Sequence, residues 1–133
     1  MRRRPIKKNT EWGAGVDIEN VDKFRTALRS SGHFLSRSFS RPEIKYCMSK
    51  GDPAVHFAGT FAAKEAVYKA VSHLHKGGVE MADFQISHNK KGMPTVSYNG
   101  ANHEVKSLEI NVSISHTIDY AVAVAFVRAQ GLE

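Results

Sequence analysis

The stretch that decides the fold is residues 53–72, which read PAVHFAGTFAAKEAVYKAVS. Asp52 precedes the stretch as a candidate N-cap, and Pro53 suits a first helical turn, where its missing N–H costs nothing. Alanine and larger apolar side chains cover most of the circumference, a pattern typical of a helix in the centre of a small domain. The sequence therefore predicts one long, largely buried helix around which the other elements pack.

Five shorter segments alternate between apolar and polar residues as β-strands do. They are residues 12–18, 84–87, 95–98, 109–115 and 120–127. In the last segment Ala121, Ala123 and Ala125 share one face, and such small side chains let a helix approach closely. The expected fold class is α+β, with an antiparallel or mixed sheet and the long central helix packed on one face.

Capping signals predict two further helices before the long one. Asn20 can cap a helix that begins at Val21 and ends near Ser31, and Lys23, Arg25 and Arg29 lie outside its apolar stripe. The sequence SRPE at residues 40–43 forms a capping box for a second, shorter helix. A further short helix is expected within residues 101–107.

Length and charge describe a single basic domain. The chain has 133 residues, 41% of them hydrophobic, and 19 Lys+Arg against 13 Asp+Glu give a net charge of +6. Residues 1–11 are predicted to be a basic, flexible extension, and residues 12–133 to be the single domain. Because the extension accounts for most of the excess charge, the body is close to neutral, and we expect an anionic partner other than nucleic acid.

Several classes of protein are excluded by what the sequence lacks. Its one cysteine, Cys47, cannot form an internal disulfide, and no Cys/His spacing indicates a zinc site. No apolar run reaches the roughly 20 residues that a membrane span needs. The basic start is not followed by the apolar segment of a signal peptide, so a cytoplasmic protein without a membrane partner is expected.

Glu65 and Asp17 are the first two residues that could carry chemistry. Glu65 lies between alanines in the long helix; it is either a surface partner of Lys69 or a ligand of a hard cation, with Lys64 and Lys69 beside it for phosphate. Asp17 interrupts a strand, where aspartate is disfavoured, and is either a turn residue or a functional carboxylate.

His116 is the third candidate, at the end of a strand that reads SISH. Such a histidine is either structural or part of a site. Ser115 is not expected to be activated by His116, because neighbouring residues on a strand point to opposite faces.

Taken together and in order, three motifs resemble those of the holo-acyl-carrier-protein synthase family. They are GVDI at 15–18, FAAKEAVYKA at 61–70 and SISH at 113–116. The resemblance extends over about residues 14–127 and implies the 4'-phosphopantetheinyl transferase fold. It also implies transfer of the phosphopantetheine arm of coenzyme A to a serine of an apo acyl carrier protein, with release of 3',5'-ADP, in support of fatty acid biosynthesis.

The resemblance assigns roles to particular residues. Asp17 and Glu65 would hold Mg²⁺, and Glu65, Lys69 and His116 would be catalytic. The coenzyme A contacts would be Lys64, Lys69, His116, Gly92 and Pro94. Lys23, Arg25 and Arg29 would bind the acidic carrier protein. The family also implies a homotrimer with active sites at subunit interfaces.

The sequence departs from the family pattern at a few positions. Thr60 replaces an arginine, Met93 replaces a lysine, residues 72–76 (SHLHK) replace a glycine-containing run, and the 101–107 segment is shorter. Three alternatives therefore stay open: the same chemistry on a specialised secondary-metabolism carrier, a non-catalytic binding protein that keeps the fold, and a small basic nucleic-acid-binding domain.

Overall fold

The computed structural model describes residues 11–30, 32–75 and 77–129. The predicted flexible extension lies outside these residues, apart from Glu11, which begins the first strand. In chain order the elements are β1 (Glu11–Asn20), α1 (Val21–Leu28), α2 (His33–Ser38), α3 (Arg41–Met48), α4 (Pro53–Leu74), a 3₁₀ turn (Met81–Asp83), β2 (Phe84–His88), β3 (Pro94–Tyr98), α5 (His103–Lys106), β4 (Glu109–His116) and β5 (Tyr120–Ala129). The predicted α+β class is confirmed.

The strands form two antiparallel sheets. The larger has the order β1-β5-β4, and β2 and β3 form a separate hairpin. Since every described pair is antiparallel, the mixed sheet that the sequence left open is not formed.

Helix α4 lies across the larger sheet at very close range. A Cβ at Gly13 or Gly15 of β1 would overlap the backbone carbonyls of Ala70 and Ala66, respectively. The facing residues of β5 are the predicted alanines, which are buried. Small residues on both surfaces therefore let the backbone of α4 approach the sheet. We call the surface of the sheet that faces α4 the inner sheet face; it includes Gly13, Gly15, Ala121, Ala123 and Ala125.

Helices α1 to α3 cover the first half of α4 with aromatic side chains. Phe24, Phe39 and Phe57 are all buried, and the rings of Phe39 and Phe57 meet edge to face with centroids 5.0 Å apart. The caps at Asn20 and Ser40 form as predicted, with side-chain oxygens accepting from the N–H groups of Asp22 and Glu43. The capping residues next to each helix start therefore determine where α1 and α3 begin.

Three features of this region differ from the sequence analysis: the end of α1, the presence of α2 and the cap of α4. Helix α1 ends at Leu28 rather than near Ser31, and α2 was not predicted because six residues are too few to display a helical period. Asp52 occupies the N-cap position of α4, but its side chain caps no N–H of the helix. The carboxylate binds Arg25 instead.

The opposite surface of the larger sheet carries exposed apolar residues, and we call it the outer sheet face. Val16 and Ile18 of β1 are 60% and 63% exposed, so the apolar side of this strand points away from α4. Trp12, Tyr120 and Phe126 extend the same surface. Among the described residues, no helix is long and apolar enough to cross a membrane.

Candidate active site

Asp17 faces α4 from the inner sheet face. Its partner across the β1–β5 ladder is the buried Ala123. Lys69 of α4 donates to the Asp17 carboxylate at 3.3 Å and to the carbonyl of Val16 at 3.0 Å. The second carboxylate oxygen, Oδ2, is buried and has no hydrogen-bond partner among the described residues. A buried, unpaired carboxylate oxygen is costly, which is a reason to expect that a further cationic group binds there.

Glu65 lies one helical turn before Lys69 and is half-buried. It forms no ion pair with any described residue. The close approach of Gly15 to Ala66 sets the alignment of β1 along this part of α4, so Asp17 and Glu65 belong to the same region of the helix–strand contact. The carboxylates expected from the sequence are therefore on the same side of α4 as Lys69.

The carboxylates of Asp17 and Glu65 match the one or two protein ligands that Mg²⁺ usually takes. Mg²⁺ takes few carboxylates and fills its remaining positions with water and substrate phosphate oxygens. Across residues 11–30, 32–75 and 77–129, no group of three or more His, Cys, Asp or Glu side chains could hold a metal ion. Asp17 and Glu65 would thus supply only part of a coordination shell.

Glu19 is a neighbour of this site that the sequence did not single out. Burial raises the pKa of Glu19, and the adjacent Asp17 carboxylate raises it further. Lys23 binds Glu19 at 3.2 Å and opposes the shift. The period-two alternation of β1 could have indicated it, because Glu19 shares the face of Asp17.

Lys64 occupies a different place from the one expected. Its ammonium group is buried and donates to Glu43 of α3 at 2.8 Å. The same Glu43 carboxylate accepts from the N–H groups of Ser40 and Ile86, each at 2.8 Å. Lys64 is therefore directed into the protein, and the phosphate contact expected of it does not fit this geometry.

A second group of predicted residues lines a cavity of about 160 Å³. His116, Gly92 and Pro94 meet there, although they come from β4, the β2–β3 loop and the start of β3. The cavity wall also includes His56, His88, Tyr46 and Thr60, of which only Thr60 had been noted. Ser115 faces the outer sheet side, since it pairs with Val122, whereas His116 pairs with the buried Ala121.

The two groups lie on opposite sides of α4. His56 and Glu65 are both on this helix and are nine positions apart in the sequence. At 3.6 residues per turn that spacing is about two and a half turns, which places the two side chains about 180° apart. One chain therefore presents the Asp17, Glu65 and Lys69 group on one side and the His116 cavity on the other.

The three cations predicted to bind the carrier protein differ in the partners that already hold them within this chain. Arg25 binds Asp52 through both guanidinium nitrogens at 2.9 Å, and this pairing lowers the pKa of the Asp52 carboxyl. Lys23 binds Glu19 and lies 4.6 Å from the ring centroid of Phe61. Arg29, the C-cap of α1, is exposed, and its Nε donates to the carbonyl of Arg25.

Comparison with known proteins first defines the class. A family model described as the 4'-phosphopantetheinyl transferase superfamily matches residues 13–125. A holo-[acyl-carrier-protein] synthase of Chlorobium limicola is 40% identical over 117 residues, which are 87% of this chain and 93% of that protein. The chain belongs to the holo-[acyl-carrier-protein] synthase family.

Solved structures agree with this assignment. The apo-ACPS structure from Chronobacterium ammoiniagenes matches with a TM-score of 0.78 at 27% identity, over 92% of this chain and all 100% of that one. An ACPS–CoA complex from Chronobacterium ammoniagenes matches with a TM-score of 0.73 at 26% identity, over 91% of this chain and 99% of that one. The fold implied by the sequence motifs is therefore confirmed.

Proposed function

We propose that this chain transfers the 4'-phosphopantetheine arm of coenzyme A to a serine of an apo acyl carrier protein, with Mg²⁺, and releases 3',5'-ADP. The observation that carries the proposal is the buried Oδ2 of Asp17, which has no hydrogen-bond partner among the described residues and lies on the same side of α4 as Lys69 and Glu65. Family membership and the coenzyme A bound by the Chronobacterium ammoniagenes relative support the same reaction. The product is a holo carrier protein, which fatty acid biosynthesis uses.

The reaction is attack of a serine hydroxyl on the β-phosphate of a pyrophosphate, so charge neutralisation and positioning dominate catalysis. Asp17 and Glu65 would hold Mg²⁺, which when bound neutralises charge on the pyrophosphate. Lys69 adds a positive charge at the same place. His116, Gly92 and Pro94 orient the phosphates of coenzyme A, and Glu65 is a candidate to accept the serine proton.

The two half-sites support an active site shared between subunits. Because α4 lies between the Asp17 group and the His116 cavity of one protomer, we expect each to face its counterpart from a neighbouring protomer. The outer sheet face, with Val16 and Ile18 largely exposed, is apolar enough to be covered by a second copy. We propose a homotrimer in which each active site lies between two subunits.

Carrier binding is proposed for α1 and its C-cap residue Arg29, which is the best placed cation. Acyl carrier proteins are acidic, and a positive surface speeds their association. Arg25 contributes less directly, since Asp52 already holds its guanidinium.

Intact-mass measurement of a carrier protein tests the function. The folded chain is incubated with coenzyme A, Mg²⁺ and a panel of apo carriers, and we expect a phosphopantetheine adduct on at least one. Asp17→Asn and Glu65→Gln should each lower the rate at least about 100-fold, because each removes charge stabilisation of the transition state. Surface Glu104→Gln is the matched control, expected to keep the wild-type rate. Absence of any adduct, or full activity in both site variants, would contradict the proposal.

A further inference from the structure

Three histidines converge on the cavity that contains His116. The ring centroids of His56 and His116 are 5.8 Å apart, and His88 lines the same wall from the end of β2. Three imidazoles around one small cavity are more than the family motif requires, since the motif accounts only for His116.

The imidazole of His88 is held in a fixed orientation. Its ring stacks on Tyr46 at 3.8 Å between centroids and 9° between planes. The ammonium group of Lys50 lies 4.6 Å from the centroid of the same Tyr46 ring. Nδ1 of His88 is buried and has no hydrogen-bond partner among the described residues. A fixed polar ring next to an ammonium group is suited to binding an anion.

The charges that face these rings come from each neighbouring element. Lys50 precedes α4, His116 ends β4, and Lys90 lines the adjoining cavity that also contains Lys50 and His88. Asp52 is the carboxylate that acts on His56, and it is already bound by Arg25. The surroundings of the two imidazoles are therefore cationic overall.

The pKa of each imidazole is lowered in the free protein, so each ring loses its proton more readily than an ordinary histidine. Burial lowers the pKa of His56, as do the charges of His116 and Lys50, against a smaller opposing effect of Asp52. Burial also lowers the pKa of His88, and the positive charges of Lys50 and then of His56 lower it further. A bound phosphate would reverse this balance, because its negative charge favours the imidazolium form.

We infer that His56 and His88, with Lys50, bind a phosphate group of coenzyme A and take up protons when it binds. This inference rests on the proposed function, which supplies the ligand. Either the 3'-phosphate or the pyrophosphate of coenzyme A provides the required chemistry. Binding should therefore strengthen as the pH falls from 8 to 6, since protonation is then less costly.

Calorimetric titration of the wild-type chain with coenzyme A tests the inference. Performed at one pH in two buffers of different ionisation enthalpy, it measures the protons exchanged. We expect net uptake on binding and an affinity that rises at least about threefold between pH 8 and pH 6. The phosphate monoester itself has a pKa of about 6 and would release protons on binding cations, so the sign of the exchange identifies the histidines.

The double variant His56→Asn/His88→Asn should lose most of this uptake and bind coenzyme A about tenfold more weakly at pH 6 than the wild type. His103→Asn, at an exposed histidine of α5, is the matched control and should behave as the wild type. His88→Asn alone should lose part of the uptake, which provides a milder variant if the double one folds poorly.

Dephospho-coenzyme A locates the phosphate. Uptake that disappears with this ligand assigns the histidines to the 3'-phosphate, and uptake that persists assigns them to the pyrophosphate. Affinity independent of pH, no proton uptake, or a double variant identical to the wild type would overturn the inference while leaving the transferase function intact. Proton-linked binding without any transfer to a carrier would overturn the proposed function alone, and no binding of coenzyme A would overturn both.

Discussion

At the scale of single residues, the partner of Lys64 changes the role assigned to a motif lysine. The Glu43–Lys64 pair is nearly inaccessible to solvent, with side chains 0% and 3% exposed. Through Glu43 it connects α4, the start of α3 and the N–H of Ile86 in β2. That strand leads into the loop that carries Gly92, so we expect Lys64 to act by positioning the wall of the His116 cavity.

Removal of Lys64 should therefore affect stability before chemistry. We expect Lys64→Met to lower the free energy of unfolding by about 3–5 kcal/mol, because it leaves the buried Glu43 carboxylate unpaired. Urea denaturation measures this change. The double variant Glu43→Gln/Lys64→Met should recover part of the loss, since no buried charge then remains. A Lys64→Met protein with wild-type stability and no transferase activity would instead indicate a direct phosphate contact.

At the scale of secondary-structure elements, the contact between β1 and α4 positions the carboxylates. Asp17 points at α4 because it shares a strand face with Gly13 and Gly15, whose lack of side chains brings the two backbones together. Lys69 can reach both Asp17 and the Val16 carbonyl only at this short separation. The close packing of β1 on α4 therefore also determines whether Lys69 can reach Asp17.

Gly15→Ala tests this coupling. The added Cβ would overlap the Ala66 carbonyl, which is backbone and cannot move aside cheaply, so we expect a loss of at least about 2 kcal/mol in unfolding free energy. Transfer activity should fall as well, because Asp17 moves away from Lys69. Gly51→Ala is the control, since a Cβ there meets nothing within 4 Å, and it should change stability by less than about 0.5 kcal/mol. Equal stability of the two variants would contradict the packing argument.

At the scale of the whole molecule, the arrangement of the half-sites makes a specific prediction about assembly. Asp17→Asn and His116→Ala should each be inactive as pure proteins. When the two are mixed under conditions that allow subunit exchange, about a quarter of the interfaces should combine an intact Asp17 with an intact His116. We therefore expect activity to recover towards about one quarter of the wild-type rate, measured by carrier modification.

The outer sheet face provides the control for that experiment. Ile18→Glu places a charge on the exposed apolar surface and should yield monomers by light scattering. Mixtures in which both partners also carry Ile18→Glu should regain no activity. Recovery in those mixtures, or none in the original one, would contradict a site shared between subunits.

Much of the fold could be predicted because its signals are local. The long helix, the caps at Asn20 and Ser40 and the alternating strands depend on residues a few positions apart, where periodicity and capping chemistry operate. The alanine face of β5 predicted its helix-facing side in the same way. Helix α2 was not predicted because its six residues are too few to show a helical period.

The sequence by itself determined the α+β class, the order of the elements and the motifs that identify the family, since each is written within a short span of chain. Tertiary structure alone decided the partners of the charged residues. Lys64 and Glu43 are 21 positions apart, and Lys69 and Asp17 are 52 apart. It also separated Glu65 from His116 across α4, because the path of the chain, and not its local pattern, determines which distant side chains meet.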